Sequence, residues 1–482
     1  MKKVIAVLLV LICVISFASP ILATPDGDTV DITILSNIKP NNIELDAQGA
    51  VLMALENGEI LFSKDCNKRL YPASTTKILT GLLALEYGDL DEIVTVGNEA
   101  NLCAYDSSKA GIDLHEEISL RNLLYGLMLP SGNDAAYVIA VHIGRKVKGD
   151  SSLSIDEALK IFIALMNKRS RELGAIHSNF ENPDGYHHDN HYTTAHDLAL
   201  ITREAMKYDI FREIISTQMF TIPDWSSAHD PTVEEKEIRY WRNTNALIQP
   251  NSKYYYPHAI GGKTGYTSNA MHCLVAMANR DGVELLTVVL SNTNKDSKWI
   301  DSTTLFDYGF SNFVRYQPFT KGEQVDILYI TGNPTTDWVR VLMAETPTHF
   351  IRKDQISKIS HEIQWNPEIS QKTEDGRNII SLPAPVSQYQ KVGTITFRLG
   401  DTILDSIDLV ASKSVEVNEI KPNFPAKLRD GVYIPYLALW YDLSLWQKFA
   451  LGTGVFALIV FILYIRAVTV RQRRRRYVFR RR

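Results

Sequence analysis

Cysteine is scarce in this chain. Its 482 residues hold four, and one of them, Cys13, falls inside an apolar run at the N-terminus. That leaves Cys66, Cys103 and Cys273, an odd and widely spaced set. Such a set excludes a disulfide framework and reads as buried thiols. No His-Glu-x-x-His pair occurs, so the usual helical signature of a zinc peptidase is missing. No internal repeat is visible, which excludes solenoid and propeller architectures. The body also lacks net positive charge. The whole chain carries −4, nine arginines follow residue 465, and two lysines sit at positions 2 and 3, which leaves −15 for residues 24–465. A body this acidic argues against a nucleic-acid partner.

The two ends carry what the body lacks. Met1-Lys2-Lys3 precedes an apolar run from Val4 to Phe17. A short basic start before such a run is the pattern of a secretory signal, here residues 1–23 with cleavage expected after Ala23. A retained anchor helix is the alternative. At the other end, Phe449–Ile465 gives 17 residues without charge, between Lys448 and Arg466. That length is at the lower limit for a helix crossing a bilayer, and it is apolar all round, unlike a surface-lying helix. Trp440 and Trp446 suit the outer interface, and the nine arginines after it suit the cytoplasm. The expectation is a single transmembrane helix at 448–466, a basic cytoplasmic tail at 467–482, and a body outside the cytoplasmic membrane. Residues 416–447, with Pro422, Pro425 and Pro435, form the linker to it.

Between the ends, Ala50–Leu55 and Ile60–Ser63 flank Asn57-Gly58, a hairpin signal. A helical region follows from about Ser74 to Tyr208. Its helices include one through Ile78, Leu79, Leu82, Leu83 and Leu85 that ends near Gly88, one from Ser119 to Leu129, and one from Asn133 to about Lys146. Strands return at Cys273–Ala278 and Val283–Leu290 around Asp281-Gly282. Strands at both ends with helices between predict one sheet built from distant parts of the chain, an α+β domain closing near Phe313. Further on, Val392, Ile395, Phe397 and Leu399 nearly alternate with polar residues before a Gly400-Asp401 turn. With Val325-Asp326-Ile327 and Trp338–Met343 they predict a small all-β domain.

Three short motifs carry candidate chemistry. Ser74-Thr75-Thr76-Lys77 opens the first helix, and a spacing of three places Ser74 and Lys77 on one face. A lysine there can take the serine proton if burial or nearby cations lower its pKa. Ser36-Asn37-Ile38-Lys39 has the same spacing but runs into Pro40 with no apolar helix behind it, and is discarded. Ser131-Gly132-Asn133 lies between two helices, where a hydroxyl and an amide can enter a cleft. Alone it would be a helix cap. Lys263-Thr264-Gly265 precedes the strand pair; it can present Lys263 and Thr264 to a carboxylate, with Gly265 leaving room for a substrate backbone.

Together, in this order and context, the three match the Ser-x-x-Lys, Ser-x-Asn and Lys-Thr-Gly set of β-lactamases and penicillin-binding proteins. The chain resembles the D-alanyl-D-alanine carboxypeptidases, the low-molecular-mass penicillin-binding proteins. Pro72–Lys77, Leu129–Ala136 and Gly262–Thr267 carry the likeness, and Asn182-Pro183-Asp184-Gly185 and His191–Leu198 add to it. The resemblance spans roughly residues 40–315 and extends weakly into the β domain. It implies a β-lactamase/transpeptidase-like catalytic domain at 24–315, an antiparallel sheet with a helical region, followed by a β-rich domain at 316–415. It also implies acyl transfer without a cofactor or metal. Ser74 would be the nucleophile and Lys77 the base. Ser131 would relay a proton, and Asn133 would orient Lys77 and the substrate amide. Lys263 and Thr264 would hold the substrate carboxylate, beside Gly265, and the Ser74 and Tyr266 N–H groups would form an oxyanion hole. The implied partners are a peptidoglycan stem peptide, β-lactam antibiotics as covalent inhibitors, and the cytoplasmic membrane. The family often ends in an amphipathic helix, and the spanning segment expected here departs from that.

Other readings compete. His177, His187, His188, His191 and His196 fall close together and could serve a zinc peptidase. A β-lactamase would share the three motifs, but no deacylating glutamate can be placed by motif. A D,D-endopeptidase or transpeptidase would use the same site with another acceptor. A non-catalytic wall-binding protein is the alternative outside enzymology.

Overall fold

The computed structural model describes residues 43–225, 237–333, 338–374 and 377–417. The expected signal segment, nearly all of the 416–447 linker, the apolar run at 448–466 and the arginine tail lie outside the described residues. Among those described, no helix is long and apolar enough to cross a membrane.

Both expected hairpins form. Gly49–Ala54 pairs antiparallel with Ile60–Lys64, and Met271–Arg280 pairs with Val283–Asn292. The second turn passes through Asp281 and Gly282 at φ 56° and 82°, the two positive values a tight hairpin turn needs. Gly49–Ala54 then lies antiparallel to Val283–Asn292, and Ala259–Thr267 adds outside Met271–Arg280. The result is a five-stranded sheet with Ala259–Thr267 on one edge. Successive side chains point to opposite faces of a strand, and here both faces are covered. Val51 and Met53 join the core under the helical region, while Leu52 and Ala54 join the core under helix Ser297–Asn312.

The helical region is organised around Lys77–Tyr87, in which Lys77 to Ala84 are all buried. Leu120–Met128 starts where the Ser119 hydroxyl accepts from the Asn122 N–H. Asn133–Lys148 ends on Gly149 at φ 72°. Ile155–Glu172 begins with a capping box between Ser154 and Glu157, and Ala195–Ala205 follows.

From Phe313 onward the chain changes character. Seven strands form one sheet, all antiparallel except Gln324–Thr331 beside Arg377–Pro383. Its core is apolar, including Leu328, Val341, Ile395, Phe397 and Leu409. The imperfect alternation of Val392, Ile395, Phe397 and Leu399 has a cause. The register slips between Lys391 and Gly393 and again between Phe397 and Arg398, and each irregularity displaces the period by a residue. This domain is joined to the first by a two-stranded pairing of Phe313–Tyr316 with His349–Arg352. Around it, Asn57 donates to the Thr348 carbonyl at 3.0 Å, the Phe350 N–H donates to Glu59 at 2.7 Å, and Arg315 pairs with Glu56. Phe350 itself is buried in the first domain's core.

Candidate active site

Ser74 lies on a 3₁₀ turn, Ala73–Thr76, and the α-helix begins only at Lys77. The expected helix start is thus one turn tighter than an α-helix, which brings residues three apart into line. Ala73 sits at φ 49°, a left-handed conformation that costs a non-glycine residue about 1–3 kcal/mol. Two glycines close on this turn. A Cβ on Gly185 would fall 1.9 Å from the Ala73 carbonyl oxygen, and one on Gly265 would fall 2.9 Å from that of Pro72 and 3.2 Å from the Ser74 nitrogen. The expectation that Gly265 leaves room for substrate is therefore revised. The space its missing side chain leaves is filled by the nucleophile turn.

Lys77 Nζ stands 3.0 Å from Ser74 Oγ, 2.6 Å from Asn133 Oδ1 and 2.7 Å from the Asp184 carbonyl oxygen. Burial lowers its pKa to about 8, against the opposing pull of Asp184 and Asp134. With two of its three neighbours able only to accept, a neutral Lys77 donates to Asn133 and Asp184, and its lone pair is left facing Ser74. Asn133 is held in turn by its N–H on the Ser108 carbonyl. Its neighbour Asp134 accepts from the N–H groups of Ala110, Gly111 and Ile112. Ser131 occupies a second strained position at φ 66°.

Lys263 is also fully buried. Its Nζ donates to Ser131 Oγ and to the Thr264 carbonyl, both at 2.9 Å. Burial, with the Lys77 cation nearby, pushes its pKa well down. Its ammonium stands behind Ser131 and does not line the cleft. The cleft is a cavity of about 410 Å³ whose walls include Ser74, Ser131, Asn133, Thr264, Gly265 and Tyr266. Tyr266 is more than half exposed, and its ring stacks on His272 with centroids 4.6 Å apart. Thus all eight residues singled out from sequence line the cleft or bond a residue that does: Ser74, Ser131, Asn133, Thr264, Gly265 and Tyr266 line it, Lys77 bonds Ser74 and Asn133, and Lys263 bonds Ser131 and the Thr264 carbonyl.

Sequence reasoning missed several neighbours. Thr244 lines the cavity, with its hydroxyl 2.9 Å from that of Thr264. Lys298 lines it too, as a cation that burial makes less basic. Neither sits in a motif; the fold alone brings them in. Asp184 lay in a segment noted for resemblance but without a role. It is almost wholly buried beside Lys77, burial raises its pKa, and its Oδ2 has no hydrogen-bond partner among the described residues.

The histidine group divides among separate structural tasks. His191 accepts from the Glu181 N–H on Nδ1, which leaves Nε2 to donate to the Thr76 hydroxyl at 2.9 Å. Burial lowers its pKa to about 3, so it is neutral. His177 and His196 both approach Asp197, and His187 packs edge-on against Tyr71. Among the described residues, no three His, Cys, Asp or Glu side chains are grouped to hold a metal ion.

Known proteins resemble this chain in sequence and fold. The D-alanyl-D-alanine carboxypeptidase DacF of Bacillus subtilis is 26% identical over 421 residues, covering 86% of this chain and 95% of its own. A D-alanyl-D-alanine carboxypeptidase of a Streptomyces species is 33% identical over 269 residues, 55% of this chain and 87% of that protein. Penicillin-binding protein 5 of Haemophilus influenzae superposes with a TM-score of 0.60 at 26% identity, over 78% of this chain and all of its own. The catalytic domain is thus transpeptidase-like and is followed by an all-β domain, and residues 313–417 match the C-terminal domain of penicillin-binding protein 5. Residues 36–294, more than half the chain, match the D-alanyl-D-alanine carboxypeptidase family, and the chain belongs to it.

Proposed function

We propose that this serine-type D-Ala-D-Ala carboxypeptidase works through an ester on Ser74, with Lys77 as the base. The observation that carries the reading is the arrangement around Lys77 Nζ, with two fixed acceptors and Ser74 Oγ within 3.0 Å. Neutral Lys77 takes the Ser74 proton as Oγ bonds to the carbonyl carbon of the penultimate D-alanine. The Ser74 and Tyr266 N–H groups would receive the negative charge on that carbonyl oxygen. Tyr266 belongs to the edge strand, where alternate N–H groups have no strand partner. Collapse of the adduct breaks the C–N bond, and the leaving amine receives, by way of Ser131, the proton that Lys77 took from Ser74. Water then attacks the ester, returns Ser74 to its hydroxyl form and releases the shortened peptide. The terminal carboxylate would lie against Thr264, Thr244 and Lys298, with Lys263 adding positive potential from behind Ser131. A β-lactam would enter the same way and remain as a penicilloyl ester.

Location and domain division belong to the same reading. The leader at 1–23, the apolar run at 448–466 and the nine arginines beyond residue 465 support a body held outside the cytoplasmic membrane by one spanning helix. The domain division is 24–315 for catalysis and 316–415 for the β-rich domain. The reaction itself is tested by D-alanine release from a D-Ala-D-Ala pentapeptide. Release should persist in excess EDTA and stop with penicillin. Loss with EDTA and persistence with penicillin would contradict the serine mechanism.

A further inference from the structure

The cleft has two walls, and Ser74 lies between them. One wall is the edge strand, where Gly265 packs against the Ser74 nitrogen, and Thr264 and Lys298 line the same cavity. The other is made of residues 106–108 and 185–187, where Gly185 packs against the Ala73 carbonyl. Charge divides in the same way. Lys298 is the cation lining the first wall, and Asp106 is the one acidic side chain lining the cavity among the described residues.

Asp106 sits on a loop tied down by several hydrogen bonds. Ser107 donates to the Ala104 carbonyl at 2.6 Å, the Asn133 N–H donates to the Ser108 carbonyl at 2.8 Å, and Asp134 accepts from the N–H groups of Ala110, Gly111 and Ile112. Yet the Asp106 carboxylate itself is exposed and pairs with no cation among the described residues. Among the described residues its side-chain hydrogen-bond partner is the Tyr186 hydroxyl, 3.5 Å away, at the far limit of a hydrogen bond. Tyr186 is partly exposed and lines the same wall. An unpaired carboxylate beside an accessible aromatic ring is suited to an ammonium group, by charge-assisted hydrogen bonding and by the ring's negative face.

The substrate's polarity fixes which part reaches it. With the terminal carboxylate at Thr264 and Lys298, the acyl part must leave across Ser74, towards Asp106. We propose that Asp106 and Tyr186 form a subsite for a side-chain ammonium on the residue that precedes the D-Ala-D-Ala pair. The enzyme then selects peptides whose amine is still free over those in which it has been acylated, as it is in a cross-link. This rests on the carboxypeptidase reading above.

The test compares two donors with the full-length enzyme, Nα-acetyl-L-Lys-D-Ala-D-Ala and its Nα,Nε-diacetyl form. Wild-type kcat/KM should favour the free amine by about three- to tenfold, the range of a partly screened ion pair. The ratio should shrink with added salt, fall to near one in Asp106→Asn, and be largely kept in Asp106→Glu. Because each ratio is taken within one protein, loss of folded enzyme cancels. A wild-type ratio near one, or a ratio that survives Asp106→Asn, would overturn the subsite. No D-alanine from either donor would overturn the carboxypeptidase reading, and the subsite with it.

Discussion

The two domains treat polar groups in opposite ways. In the first, Lys77, Lys263, Asp134, Asp184 and His191 are all buried. In residues 313–417 no polar or charged side chain is fully buried among the described residues, and the core is aliphatic and aromatic. Buried ionisable groups are costly unless partnered, so their concentration on one side marks where shifted proton affinities are put to use. The left-handed Ala73 and Ser131 lie on the same side, Ala73 next to Ser74 in the chain and Ser131 bonded to Lys263. Among its described residues the β domain buries no such group, although Tyr389 there also takes a positive φ of 62°. Its contacts with the first domain, through the buried Phe350 ring and the Phe350 N–H donating to Glu59, fix a position.

The contrast can be broken in steps of decreasing size. Lys77→Ala should lower acylation by about 10²–10⁴-fold, the usual worth of a general base. In the wild type the rate should rise with pH through the region near 8, because Lys77 is competent only when it has lost its proton. Asp184→Asn removes a negative charge that favours protonated Lys77, so the same limb should move to lower pH. A pH–rate profile unmoved by Asp184→Asn would separate that carboxylate from the chemistry. Phe397→Ala should destabilise the β domain by about 3–5 kcal/mol, read by thermal unfolding. The kcat/KM per folded molecule on a soluble pentapeptide should stay near wild type. A fall in that value would mean the β domain shapes the cleft. The smallest effect is expected from deletion of residues from about Leu437 onward. That protein should leave the membrane fraction yet cleave soluble pentapeptide at nearly the full rate, while action on wall in cells drops with the loss of tethering. Lost activity on the small peptide would show that the anchor supports the site itself.

Much of the site could be read from the sequence because its main groups lie in three short linear segments. Ser74 and Lys77 are three residues apart, and no tertiary information is needed to pair them. The hairpins at Asn57-Gly58 and Asp281-Gly282 were equally legible, since their turns demand positive φ. What could not be read was anything set by approach between distant segments. Gly265 looked like room for substrate, but only the folded chain shows Pro72 and Ser74 occupying that space. Lys263 looked like a direct ligand for a carboxylate, and its place behind Ser131 follows from burial that no motif encodes. His191 belonged to a suggestive histidine group, and its pairing with Thr76, 115 residues away in sequence, gives it a structural task. Thr244, Lys298 and Asp106 carry no local signal.

The central claim is that Ser74 is the acylated atom's residue, activated by Lys77. The most direct measurement is intact-mass and peptide-level mass spectrometry of the enzyme after exposure to penicillin. One penicilloyl group should appear per chain, on the peptide containing Ser74. Ser74→Ala should remain folded by circular dichroism and take up none. An adduct on another residue, or labelling that survives Ser74→Ala in folded protein, would contradict the account.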